Sequence, residues 1–341
     1  MRWAKYLAVG AVIAGSLTMV NPVSARDSIT EEGARKAIVQ LQTQAIRQTA
    51  TTQDEANSPA ESSTEAMAEG PEAGFVLSEA EAHVLSAIDH AEQNDVGSAI
   101  SEANAALAAD PGLAEAHLVR GLLHQESGNH EYAVNEFTLV TQIPPPSSEA
   151  YRLRGVSQAN LGNYAEALSD LGKAIGIDPE NVDAYFNRAV IYQFRLGQEG
   201  NALSDYNRVI ELAPDALAAL NNRAILLTLR GQHDAALADM AAYARYNDQV
   251  LPANVLDTRG FVHLQRGDFR AAIADYQAAL DAGLSPIYPT LGLGIAYAEL
   301  GDWEQAWPLL QQGLGYVQGL AGMDGQLREL VRRANTIVSA R

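Results

Sequence analysis

Imidazoles, guanidinium groups and carboxylates are the side chains here whose spacing could do chemistry. Seven histidines and no cysteine occur in 341 residues, and four of the seven, His83, His90, His117 and His124, fall in two pairs. Imidazole ligates zinc, but the members of each pair are seven residues apart, about 10 Å or two helical turns, too far for one ion. They occupy places taken further on by Tyr151, Tyr185 and Tyr192. The expectation is packing histidines, with an inter-helix metal or pH-sensing role as the alternative. Lack of cysteine removes disulfides, thiolate metal sites and cysteine nucleophiles together. Gly292-Leu-Gly294 and Gly313-Leu-Gly315 have the look of dinucleotide loops, but neither follows a strand that could present a phosphate to a helix N-terminus. No HExxH, no strand-preceded GxSxG and no carboxylate pair outside the repeating spacing occurs. No catalytic, cofactor-binding or metal residue is therefore named, and the chain reads as a binding protein, not an enzyme.

The arginines and acids recur instead. Arg120, Arg154, Arg188, Arg223 and Arg259 share one register; Glu102, Glu136, Asp170, Asp205, Asp239 and Asp275 share another. The elements that must position them repeat every 34 residues, typified by Ser148 to Asn181. Small residues stand at position 20 (Ala99, Ala133, Ala167, Ala202, Ala236, Ala272, Ala306) and at position 8 (Ala87, Gly121, Gly155, Ala189, Ala224, Gly260, Gly294). Each half carries apolar residues at helical spacing, and Gly162-Asn163 divides the two, so the unit is a helical hairpin with closely approaching backbones. Pro111, Pro145, Pro179 and Pro214 close the first four units, where a missing N–H and fixed φ stop a helix. A partly buried arginine needs a counter-charge, so each is expected to pair with the acid of its own repeat or of the one before.

This pattern resembles the tetratricopeptide repeat. The resemblance implies an all-α fold, a right-handed α-solenoid of about seven helix-turn-helix units at 80–113, 114–147, 148–181, 182–216, 217–252, 253–286 and 287–320, with a capping helix in 321–341. Three units depart from the pattern: the fourth has one extra residue, placed in its turn at Leu196 to Gly200, the fifth lacks the closing proline, and the seventh has Pro308 in its second helix. Leu327, Leu330, Val331 and Val338 give the last helix one apolar side, expected to cover the end repeat.

The resemblance further implies a concave groove lined by the first helix of each unit. Position 2 then supplies an acidic edge, Glu115, Glu149 and Asp183; position 5 supplies Leu118, Arg152, Phe186, Asn221 and Asp257. Positions 9 and 13 supply Leu122, Val156, Val190, Ile225 and Phe261, with Phe194 and Leu229. Members that hold a partner's terminal carboxylate use Lys, Asn and Arg at such places; here position 9 is apolar throughout. An apolar floor with an acidic rim suits helical or extended peptides with apolar anchors and basic flanks, although each of these side chains could equally belong to the core between repeats.

Ahead of the repeats, Arg2 and Lys5, an apolar run from Leu7 to Val20 and Val23-Ser24-Ala25 read as a secretory signal, residues 1–25, cleaved after Ala25. The run is short for a membrane span. Removing Arg2 and Lys5 takes the formal charge from −19 to −21, a surface that repels nucleic acid and anionic membranes. Residues 26–77, rich in Ala, Ser, Thr, Glu and Pro, form a tether expected to be mostly disordered. Within it Ile38, Leu41 and Ile46 could form a helix that occupies the groove. The chain is thus expected to be an exported, periplasmic or secreted scaffold or adaptor for protein or peptide partners, with a regulatory peptide sensor that switches conformation as the alternative.

Overall fold

Ser78 shows how these residues make helices. Its hydroxyl accepts from the Glu81 N–H at 3.2 Å while the Glu81 carboxylate accepts from the Ser78 N–H at 2.7 Å, a capping box that satisfies two orphan donors and starts α1 (Glu79–Glu92). The computed structural model describes residues 78–320 and 322–340; the leader, the tether and its short apolar stripe lie outside them. After α1 come α2 (Val96–Ala109), α3 (Ala114–Glu126), α4 (His130–Gln142), α5 (Ser148–Asn160) and α6 (Tyr164–Ile177). The next are α7 (Val182–Val190), α8 (Glu199–Leu212), α9 (Leu217–Leu229), α10 (His233–Tyr246), α11 (Ala253–Arg266) and α12 (Phe269–Asp281). The last three are α13 (Ile287–Glu299), α14 (Trp303–Val317) and α15 (Gly325–Ser339). Among the described residues there is no strand, and the helices pair in order, α1 with α2 through α13 with α14. The fold is an all-α solenoid of helical repeats.

What closes each hairpin is backbone freedom at its turn. In six of the seven hairpins a glycine (Gly128, Gly162, Gly197, Gly231, Gly267 or Gly301) has φ between 63° and 94°, a left-handed conformation that glycine adopts without a Cβ clash, and in the first hairpin Asn94 takes it at 61°. What sets the spacing is the pair of small residues. All seven position-20 alanines are fully buried, and a β-carbon on Gly155 would stand 3.1 Å from the Ala167 carbonyl oxygen. Anything larger would push the two helices apart.

The chain forms two units that part between Asn181 and Val182. In the N-terminal unit, α1–α6, one core gathers Val84, Ile88, Leu107, Val119 and Leu123, and a second gathers Leu118, Leu122, Phe137, Val140 and Leu153. In the C-terminal unit, α7–α15, Phe186, Val190 and Tyr206 pack together; Leu220, Met240 and Val262 form a second cluster. Its third cluster joins Phe261, Tyr276, Leu291 and Leu310 to Leu327 and Leu330 of α15.

Two sequence expectations need correcting. The extra residue of the fourth repeat is not in the turn: α7 is prolonged by a π-helical turn at Ile191–Arg195, and the Leu196 N–H bonds the Ile191 carbonyl oxygen. Both ends of this helix are fixed by repeat packing, so one surplus residue is absorbed by widening the last turn. The C-terminal helix does not simply cover the end of the array. It turns back through Gly319 and Gly322, both at positive φ, and packs against α13 and α9 as well as α14. Its apolar side meets the first-helix face of repeats five to seven.

Candidate functional site

The recurring charges resolve into one scheme. Arg154 donates to both Asp170 oxygens at 2.7 and 2.8 Å, and Arg188, Arg223 and Arg259 make the same fork with Asp205, Asp239 and Asp275. Arg120 donates to Glu136 at 2.8 Å. Every pair lies within one repeat, and each acid is buried. Planar guanidinium matches carboxylate bidentately, and the bond to Asp170 raises the Arg154 pKa, as the bond to Asp205 does for Arg188. The spare arginine nitrogens reach the preceding repeat: Arg120 donates to Asn104, Arg154 to Thr138 and Thr141, Arg223 to Asn207. Glu102, which has no arginine in its repeat, lies 2.7 Å from His83 Nδ1. These charges therefore serve the framework.

The histidines do so too. His117 is buried, with Nδ1 2.7 Å from Glu136 and Nε2 3.1 Å from the Pro111 carbonyl oxygen. His124 stacks on Tyr132 at 5.2 Å, and burial lowers its pKa. Among the described residues no group of three or more His, Asp or Glu could hold a metal.

The face expected to line a groove divides by burial. Leu118, Leu122, Arg152, Val156, Phe186 and Val190 are buried, and Phe261 is completely so. Leu118 and Leu122 pack on Phe137; Phe186 meets Tyr206 at 5.9 Å. Arg152 is engaged by Glu149 one turn back. Those positions belong to the core because the close hairpin contact leaves room for a large side chain beside each small one. Phe194, Asn221, Ile225 and Leu229 are half-buried, as are Glu115 and Glu149, while Asp183 is exposed.

Asp257 is where the face is already in use. Gln326 of α15 donates to its Oδ2 at 2.8 Å, and Oδ1 is buried with no hydrogen-bond partner. Burial pushes its pKa up to about 7; the Gln326 bond opposes this and the Asp324 charge adds to it. A β-carbon on Gly325 would stand 2.6 Å from Leu229 Cδ1, so the α15 backbone lies directly on α9. Arg333 donates to Glu299 at 2.6 Å and to the Leu264 carbonyl oxygen at 3.2 Å, and the Tyr288 hydroxyl donates to Asp324, the α15 N-cap, at 2.8 Å. Position 5 and position 13 thus hold a helix, a role the sequence assigned to an outside partner. The Gln326 to Asp257 pairing, 69 residues apart, has no periodic signal that would announce it.

Helical hairpins with intra-repeat arginine forks define a helical-repeat protein. Family models described as "TPR repeat" and "Tetratricopeptide repeat" match residues 158–193, 84–148, 259–315 and 182–216, together more than half of the chain. The chain belongs to the tetratricopeptide repeat family. Among solved structures it is similar to a tetratricopeptide repeat protein from Parabacteroides merdae ATCC 43184, with 17% identity and TM-score 0.52 over 75% of this chain and 99% of that one. It is also similar to PilW, described as a widely conserved type IV pilus biogenesis factor (20%, 0.48, 74% and 98%), and to Pseudomonas aeruginosa PilF (15%, 0.48, 74% and 97%). At these identities the likeness is one of fold. A comparison with curated protein sequences gives no match.

Proposed function

We propose that this chain is a non-catalytic scaffold or adaptor of the bacterial cell envelope that holds peptide or helical segments of protein partners against the first helices of its repeats. The observation that carries the reading is α15 itself, a helix seated on α9, α11 and α13 through aliphatic contacts and side-chain hydrogen bonds. A surface that accepts one amphipathic helix has the width and polarity to accept another. Glu115 and Glu149 in the N-terminal unit and Asp183 in the C-terminal one each leave a carboxylate at least partly open to solvent in the first turn of a first helix, and with a net charge of −19 they favour partners whose apolar anchors are flanked by Lys or Arg. The leader supports export, with a mature chain beginning at Arg26.

Photo-crosslinking residues placed at Glu149, Asp183 and Ile225, with Glu166 and Glu211 on second helices as controls, test this in an envelope fraction. Crosslinks to a protein partner from the first-helix positions are expected. Crosslinks from Glu166 and Glu211 alone would put the interaction on the other face. N-terminal sequencing of the exported chain should begin at Arg26.

A further inference from the structure

Within α15, Leu327, Leu330 and Ala334 are buried and Val331, Ile337 and Val338 half-buried on one side, while Arg328 and Arg332 stay on the other. This is the pattern of a groove-bound helix, with anchors at three- and four-residue spacing. Its polar contacts have the same character. Gln326 in the first turn donates to Asp257, and Arg333 two turns later donates to Glu299 and to the Leu264 carbonyl oxygen. A single short segment with Gly319 and Gly322 at positive φ ties it to α14. Its bed is imperfect: Asp257 Oδ1 is buried without a hydrogen bond. A buried oxygen left without a partner costs free energy, and that cost grows once the Asp257 carboxyl loses its proton.

We propose that α15 is a tethered stand-in for a partner helix, and that the first-helix face of repeats five to seven is released to receive an amphipathic helix with an amide side chain in its first turn, aliphatic anchors, and an arginine two turns on. This rests on the first-helix face being the interaction surface. The contacts that seat α15 define the partner's chemistry, because a competitor must satisfy Asp257, Glu299 and the Leu264 carbonyl oxygen equally well. Gln326 and Asp324 of the α15 segment act on Asp257, and the Asp257 charge in turn raises the pKa of Tyr276 of α12 and Tyr288 of α13, which face it. Seated, Asp257 holds its proton up to about 7; unseated, an open carboxyl releases it near its ordinary value. The seated state binds the proton more tightly, so seating is strongest in acid, weakens as pH rises toward 7, and changes little above.

The test uses the full chain with a protease site inserted after Leu320, and a fluorescent peptide of residues 325–339 as probe. In the uncut chain the tether holds α15 at high effective concentration, so the probe should bind at least about tenfold more weakly than to the cut chain. Binding to the cut chain should weaken by about tenfold or more between pH 5.5 and pH 8, and Asp257→Asn should flatten that dependence. A probe with Gln326→Ala and Arg333→Ala should bind measurably more weakly than the natural one. In the uncut chain, Arg333→Gln should admit the natural probe several-fold more tightly. Failure of the probe to bind a cut chain of unchanged helicity, or loss of helicity when the cut helix leaves, overturns the proposal and makes α15 a fixed part of the core. If that happens while envelope crosslinks from Asp183 persist, the interaction-surface reading stands and only the stand-in role falls. Exchange of the probe without first-helix crosslinks separates the two in the opposite sense.

Discussion

Arg188 and Asp205 show what one pair contributes. The guanidinium is about four-fifths covered and the carboxylate almost fully, at 22% and 7% side-chain exposure, so truncating the arginine leaves a buried charge without its partner. Arg188→Ala should therefore lower stability by about 3 kcal/mol, read by urea unfolding. Removing Asp205 as well should recover part of the loss, because the stranded charge goes with it. A double variant no more stable than the single would show that the cost lies in lost packing. Ala167→Leu tests the steric side: its backbone oxygen is where a Gly155 β-carbon would press, so the larger residue should cost about 1 to 3 kcal/mol, with a lower thermal midpoint. Both registers were legible because every turn of the repeat returns them. The inter-repeat acceptors were not: the place held by Asn104, Thr138 and Asn207 is Gly172 in the third repeat and Ala241 in the fifth, so no single residue type marks it throughout. Nor did sequence separate groove from core, since Phe261 of α11 and Leu229 of α9 are both apolar residues of first helices and only packing shows which is buried.

At the scale of the element, the helices followed from capping residues, turn glycines and apolar spacing. The π-helical turn at Ile191–Arg195 was visible only as a count, one residue too many between Arg188 and Asp205. Periodicity counts residues along the chain and says nothing of which turn widens. Deleting exposed Leu196 should restore the regular spacing and shift the thermal midpoint by only a few degrees. Deleting buried Leu153 from α5, which has no surplus residue, should put every following side chain of that helix, Arg154 to Asn160, out of register and abolish the cooperative transition of the N-terminal unit. The destination of α15 was illegible for a related reason. Its stripe announces that one side is covered, but α14 and the first-helix face both offer apolar surface, and the choice falls to Gln326 and Arg333, whose partners lie far off in sequence.

For the whole molecule, charge dominates encounter. A chain at −19 attracts basic segments over roughly a Debye length, about 8 to 10 Å near physiological salt and about 3 Å at 1 M. Association with a basic partner should therefore slow by about tenfold or more between low and high salt, while dissociation changes little, a contrast that stopped-flow fluorescence reads directly. Equal slopes for both rates would mean that the charges act within the bound complex instead of steering its approach.

In a stacked array each repeat ordinarily senses only the next one, so disorder can enter at an end and travel inward one unit at a time. By touching both α9 and α13, α15 adds a coupling that skips a neighbour. Repeats five, six and seven then cannot fray singly, because opening the seventh unseats the strut that also braces the fifth. Their slowest amide protons should exchange as one block with a common free energy of opening, and an array so braced keeps its far end shut until whatever removes the strut loosens three repeats at once.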